Sequence, residues 1–244
     1  MTDPPPSHWG DVSFLAALRG RFVVFDGPDG SGKSTQFRRF AALCRETDMT
    51  VCEVREPGGT HVGERVREIL LDPVHAEMSL RCEMMLYMAS RAQLVEERIR
   101  PALSRGELVL ADRYVTSTLA YQGSAGGLPF DEIMAVAQAA CGRLTWGAGN
   151  AERGSRNAEQ GLVGAWPELV VIFDVDERTA AGRLNPLLDR MEQKGLEFHR
   201  KVRAGYLEQA KRWPERYLVV DASKDADDVT KQLLAGVRQR VGSM

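Results

Sequence analysis

The sequence predicts an α/β fold: a mostly parallel five-stranded sheet with helices on both faces. Three observations carry this. Short apolar runs recur along the chain, helical patterns fill the gaps between them, and the first run leads into a glycine-rich loop ending in Lys-Ser. The runs are Arg21–Phe25, Thr50–Val54, Leu108–Ala111, Leu169–Phe173 and Tyr217–Val220. Most are continuous rather than alternating, which suits strands buried on both faces of a parallel sheet. Strands alternating with helices through right-handed crossovers give a doubly wound arrangement.

Taken in order, residues 1–20 read as a flexible N-terminal extension, because Pro4, Pro5 and Pro6 oppose regular structure. Phe14–Leu18 within it is apolar enough to dock on the body. Helical patterns follow at Ser34–Thr47, Gly63–Leu71, Ser79–Arg100, Phe130–Cys141, Glu177–Arg183, Leu196–Lys211 and Val229–Val241. Ser79 is placed to cap the long third pattern, and Pro101 marks its end or a kink. Thr145–Trp166 breaks the alternation. It is rich in Gly, Ala, Asn and Arg, lies just before a strand, and reads as an inserted surface loop. Residues 21–244 are therefore expected to form a single domain around that insertion.

Composition narrows the function. The 244 residues carry 32 Lys+Arg and 34 Asp+Glu, a formal net charge of −2, which argues against wrapping nucleic acid. No apolar run approaches the ~18 residues of a membrane helix. The first residues lack the cationic start and apolar stretch of a secretory signal. Cys44, Cys52, Cys82 and Cys141 form no Cys-x-x-Cys pair, as expected of reduced thiols in a cytoplasmic protein.

The loop after the first run, Gly27-Pro28-Asp29-Gly30-Ser31-Gly32-Lys33-Ser34, matches G-x-x-x-x-G-K-[ST] between a strand and a helix. Glycines let successive backbone N–H groups face phosphate oxygens, and the helix that follows presents its positive end to them. Lys33 is expected on the β/γ-phosphates and Ser34 on Mg²⁺, with Thr35 completing the cradle. This points to a phosphate-loop NTPase fold binding a nucleoside triphosphate with Mg²⁺.

Ligands of such sheets lie beyond the carboxyl ends of the strands. Charged residues fall there: Arg55-Glu56-Pro57-Gly58-Gly59-Thr60 after the second run, Asp112-Arg113-Tyr114 after the third, then Asp174 and Asp221. Any of the three aspartates could lie near the metal. Asp112 is preferred because adjacent Arg113 could grip an acceptor phosphate, although an exposed strand-end arginine can equally form a surface ion pair. Tyr87 and Arg91 stand four apart on one helix face. Together they could stack on a base and bond its carbonyl, or simply pack in the core. No Asn-Lys-x-Asp string for guanine is present.

These residues stand in segments that together resemble the thymidylate kinase family: FDGPDGSGKSTQ, REPGGTHVGERVREILL, YMASRAQLVEERIRPAL, ADRYVTSTLAYQG and DRMEQKGLEFHRKVRAGYLEQA. The resemblance implies phosphoryl transfer from ATP to dTMP with Mg²⁺, in a cytoplasmic homodimer. It implies that Asp29 approaches the acceptor sugar and metal, that Arg55 and Arg113 hold the acceptor phosphate, and that Glu56 lies near metal waters. Tyr87 stands where the family usually has a phenylalanine stacked on thymine, and Arg91 would bond the base. Arg67, Ser117, Tyr121 and Gln122 would complete the pocket, with Tyr121 disfavouring a ribose hydroxyl. A lid over ATP is expected around 183–194. Because Gly30 stands where one subgroup has a catalytic arginine, Arg183 and Arg190 of the lid become the candidates. Lys33, Arg55, Arg67, Arg91, Arg113, Arg183 and Arg190 are thus expected on one cleft. The chain departs from the pattern at Asp26, where Glu is usual, and at Asn185-Pro186, where Arg-Gly is common. Another small nucleoside monophosphate as acceptor, or a non-catalytic nucleotide switch, are the alternatives.

Overall fold

The computed structural model describes residues 9–143, 164–183 and 189–242. Strands β1 (Phe22–Asp26), β2 (Val51–Arg55), β3 (Leu108–Asp112), β4 (Leu169–Asp174) and β5 (Tyr217–Asp221) form one sheet in the order β2-β3-β1-β4-β5. Every pairing is parallel. Each strand runs on to the charged residue that follows its apolar run. Register pairs Phe25 and Arg55 with Asp112, and Asp174 with Asp221, so these charges gather along one sheet edge.

The sheet is buried on both faces, as the continuous apolar runs require. Phe22 and Val24 of β1 point into one core layer with Met84, Ile133 and Val202. Val23 and Phe25 point into the other with Phe40, Leu233 and Val237. The first layer is completed by helices α3 (Leu80–Leu94), α6 (Phe130–Cys141) and α8 (Gly195–Arg212), the second by α1 (Lys33–Arg45) and α9 (Ala226–Val241). Helix α2 (His61–Leu71) starts at Thr60, whose hydroxyl accepts from the Gly63 N–H at 3.0 Å.

Four features refine the expected outline. The lead-in docks through the apolar stretch expected to do so: Ser13–Leu18 is a 3₁₀ turn with Leu15 and Leu18 fully buried, and of residues 1–20 the first eight lie outside the described residues. The long helix does not stop at Pro101. A π turn at Val95–Ile99 precedes it, with the Arg100 N–H on the Val95 carbonyl, and α4 (Arg100–Ser104) carries Pro101 in its first turn. Val115–Ala125, not expected as helix, is helical: α5 (Val115–Thr118) continues as a π turn over Leu119–Ala125. Its β-branched Val115, Thr116 and Thr118 hide the helical signal. The insertion's core, 144–163, lies outside the described residues, but Ala165 is buried and Trp166 Nε1 donates to Gly142 O at 3.0 Å, so this end packs on the body. The short α7 (Glu177–Ala181) follows β4 and is capped by Asp176. Lid residues 184–188 also lie outside the described residues. Among the described residues no helix is long and apolar enough to cross a membrane.

Candidate active site

The phosphate loop leaves β1 at Gly27 and enters α1 at Lys33. Gly30 shows why it is glycine: its φ is +77°, and a Cβ there would lie 2.2 Å from the Ala180 carbonyl oxygen of α7. An arginine there would also have to displace the Ala180 carbonyl of α7, which accounts for the glycine at this position. Lys33 is buried, its Nζ 3.0 Å from Asp112 Oδ1 at the end of neighbouring β3. Ser34 is exposed on the first turn of α1. Ser31 Oγ is buried with no hydrogen-bond partner. Of the three strand-end aspartates, only Asp112 faces the loop lysine. Asp174 is held by Arg203 at 2.7 and 2.9 Å, and Asp221 bonds Ser223.

Beside the loop stands a second cationic centre. Arg113 takes the left-handed conformation, φ +71°, rare for a long side chain. Its Nη1 donates to Ser117 Oγ at 3.0 Å, Tyr206 OH at 3.1 Å and Asp26 Oδ1 at 3.3 Å, and its Nη2 pairs with Asp29 Oδ1. The guanidinium lies over the Tyr121 ring, 5.4 Å from its centroid, and Tyr121 OH donates to Asp29 Oδ2 at 2.7 Å. Burial alone would raise the Asp29 carboxyl, but Arg113, then Lys33, hold it below the usual carboxylate range. Burial pushes the Tyr121 hydroxyl well up, so it stays a donor. Asp29, Arg113, Ser117 and Tyr121 therefore come together as expected.

Arg55 and Arg67 form a third group. Arg55 is exposed, and its Nη2 donates to both carboxylate oxygens of Glu64, at 3.0 and 2.9 Å. Arg67 donates to Pro57 O at 2.9 Å, and its pKa is depressed by burial and then by Arg55. Two guanidiniums that disfavour each other invite an anion between them. Tyr87 is half-buried, its hydroxyl raised by burial and then by Glu83.

Several of the expected site residues meet other partners in this structure. Arg91 is 1% exposed and does not face open space: Nε donates to Glu56 Oε2 at 2.7 Å and Nη2 to Thr118 Oγ1 at 3.2 Å, beneath the Tyr114 ring. Glu56 is buried with it, and its backbone N–H donates to the Asp112 carbonyl at 2.9 Å. Burial pushes Glu56 up to about 7 against the pull of Arg91, and its Oε1 has no partner. Arg190 is 7% exposed, its Nη1 2.6 Å from Glu83 Oε2 and its Nε donating to Leu70 O at 2.8 Å. Glu83 also takes Lys194 and, at 2.7 Å, Gln122 Nε2. Arg183 reaches Ala222 O at 2.9 Å and Ser223 O at 3.2 Å, on the loop after β5. Of the seven expected cations, Arg91 and Arg190 are each claimed by a buried glutamate, Glu56 and Glu83. Lys33 and Arg113 lie within electrostatic reach of Asp29, and Arg67, Arg113 and Arg190 within reach of Tyr87.

Sequence reasoning missed Thr116, Tyr206, Glu83 and Arg203. Thr116 and Tyr206 both bond Asp26, and a strand-end carboxylate needing several donors was the available signal. A cleft of about 210 Å³ opens beside Pro28 and Asp29, walled by Ala180, Glu192, His199 and Arg203.

Could these residues hold Mg²⁺? Ser34 and Asp112 offer hard oxygen donors flanking Lys33, while among the described residues no three His, Cys, Asp or Glu side chains gather as a cage. That fits an ion held by one or two protein oxygens with water and substrate phosphates.

The family profile described as Thymidylate kinase matches residues 25–144 and 147–233. A thymidylate kinase of Geobacillus sp. (strain WCH70) is 38% identical over 228 residues, covering 92% of this chain and 99% of the relative. One from Deinococcus radiodurans is 42% identical, covering 91% and 98%. A crystal structure of thymidylate kinase from Ehrlichia chaffeensis superposes with a TM-score of 0.66 at 26% identity, covering 89% of this chain and 98% of that one. With the family profile spanning most of its residues and relatives of 38% and 42% identity covering nearly its whole length, the chain belongs to the thymidylate kinase family.

Proposed function

We infer that this chain transfers the γ-phosphoryl group of ATP to dTMP, giving ADP and dTDP. The observation that carries this is the placing of Arg113 and Asp29 side by side at the mouth of the phosphate loop. One cationic centre for a triphosphate and a second for an acceptor phosphate adjoin through a single carboxylate.

The loop amides and Lys33 bind the triphosphate, and Lys33 neutralises charge on the transferring group. Asp112 keeps the lysine aimed along the loop. Arg113, with Arg55 and Arg67 farther out, offsets the repulsion between two anions and sets the acceptor oxygen in line. Asp29 and Tyr121 shape the sugar site, and Tyr87 offers its ring to the base. Ser34 and Asp112 would hold Mg²⁺, which supplies charge neutralisation at the phosphates when bound. Val62 and Ile69 on α2 and Met85 on α3 are exposed apolar side chains and support a homodimer built on this face, testable by light scattering.

The test is a panel of nucleoside monophosphates in a coupled ADP-release assay. Acceptor-dependent ADP production is expected with dTMP well above the rest. Equal rates across the panel, or ADP release indifferent to acceptor, would overturn the reading.

A further inference from the structure

We infer that Tyr206 is a positioning residue for Arg113: its hydroxyl, together with Asp26, fixes the guanidinium that meets the acceptor phosphate. This rests on the reading above, which makes Arg113 an acceptor-phosphate ligand.

Tyr206 comes from α8, is fully buried, and presents no face to a substrate. Its ring packs edge-on against Tyr121, centroids 6.3 Å apart, and Tyr121 in turn supports the Arg113 guanidinium. Its O–H donates to Asp26 Oδ1 at 2.6 Å, while its oxygen accepts from Arg113 Nη1 at 3.1 Å. Burial, then the neighbouring Asp26 carboxylate, push its pKa well up, so the proton that makes this bond is kept.

Asp26 is the hub. Fully buried at the end of β1, it accepts on Oδ1 from Tyr206, from Ser117 at 2.7 Å and from the Gly27 N–H at 2.9 Å, and on Oδ2 from Thr116. A buried carboxylate so saturated cannot swing, and Arg113 is anchored to it. Tyr206 completes the set from a different element. It therefore ties α8, which begins where the expected lid segment ends, to the strand that opens the phosphate loop. Arg113 already holds an unfavourable backbone conformation, φ +71°. Without Tyr206 its Nη1 loses one of the three partners that fix its direction.

Tyr206→Phe removes one oxygen and keeps the packing, so the fold is expected to stand, as Tm would show. The variant should raise the KM for dTMP about tenfold, the usual scale for losing one hydrogen bond to a charged group, with a smaller fall in kcat. The KM for ATP should stay within about twofold. In an Arg113→Ala background, Tyr206→Phe should add nothing further, because its effect passes through that arginine. Unchanged dTMP kinetics in Y206F alongside impaired R113A would overturn the proposal. So would equal losses for both substrates, or full additivity of the two changes. If R113A itself leaves the KM for dTMP untouched, the acceptor-phosphate reading fails first and this proposal falls with it.

Discussion

Lys33 Nζ stands 3.0 Å from Asp112 Oδ1, joining the phosphate loop to the end of the adjacent strand. The contact follows from topology: β3 pairs with β1, and Phe25 is in register with Asp112. A lysine on a flexible stem is thereby held where phosphates arrive. Lys33→Ala should cost about 10²–10³-fold in kcat, the scale for losing a preorganised electrostatic contact. Asp112→Asn should lower kcat less and leave the KM for dTMP nearly unchanged, since Asp112 acts on the triphosphate side. Near-normal turnover of Lys33→Ala in the ADP-release assay would remove the loop from the mechanism.

Gly30 and Gly32 share a left-handed backbone, φ +77° and +78°, but differ in surroundings. A Cβ at Gly30 would strike the Ala180 carbonyl at 2.2 Å, whereas nothing lies within 4 Å of one at Gly32. Gly32→Ala should therefore cost only the backbone term, about 1–2 kcal/mol. Gly30→Ala must also push α7 away and should be the worse variant in both Tm and ATP binding. Equal losses would mean that α7 does not bear on the loop.

Much of this site was legible because its parts are local. The loop motif, the apolar runs and the charge after each run are short-range patterns, and the strands end on those charges. The fates of Arg91 and Arg190 were not legible. Which carboxylate claims an arginine depends on long-range packing: Glu56 lies 35 residues from Arg91. Arg190 meets Glu83 across a far longer stretch of chain. Tyr206 reaches Asp26 over 180 residues, and no periodicity announces that. Val115–Ala125 escaped for a local reason, β-branched residues in a helix held by its burial.

The buried Glu56–Arg91 pair gives a pH dependence with a definite sign. Burial lifts the Glu56 carboxyl from 4.5 to about 7 in the folded chain. Between those values the unfolded chain has lost the proton and the folded chain keeps it, so unfolding becomes easier as pH rises. Below pH 4.5 the group contributes no penalty; above about 7 the penalty is complete, on the order of 3 kcal/mol. Glu56→Gln cannot titrate. Its Tm relative to the parent should therefore improve from pH 5 to pH 8, even if it starts lower for want of a full partner to Arg91. A deficit that widens with pH would show that the ion pair, not burial, governs Glu56.

Arg190 and Arg183 should separate by what their loss affects. Arg190 is enclosed, bonded to Glu83 and to the Leu70 carbonyl at the end of α2. Removing it leaves Glu83 buried with only Lys194 and Gln122 as partners. Breaking one side of a buried pair costs about 3–5 kcal/mol, reduced here by the partners that remain. Arg190→Ala should thus lower Tm by several degrees, and Glu83→Gln in the same chain should recover part of it, because the stranded charge is gone. Arg183 is exposed and, among the described residues, bonds two carbonyls after β5, beside the helix that packs on Gly30. Its loss should leave Tm within about a degree, as surface changes usually do, and appear instead in kcat and the KM for ATP. Thermal unfolding and steady-state kinetics on the same preparations decide between these roles, and a Tm loss in Arg183→Ala with normal kinetics would reverse them.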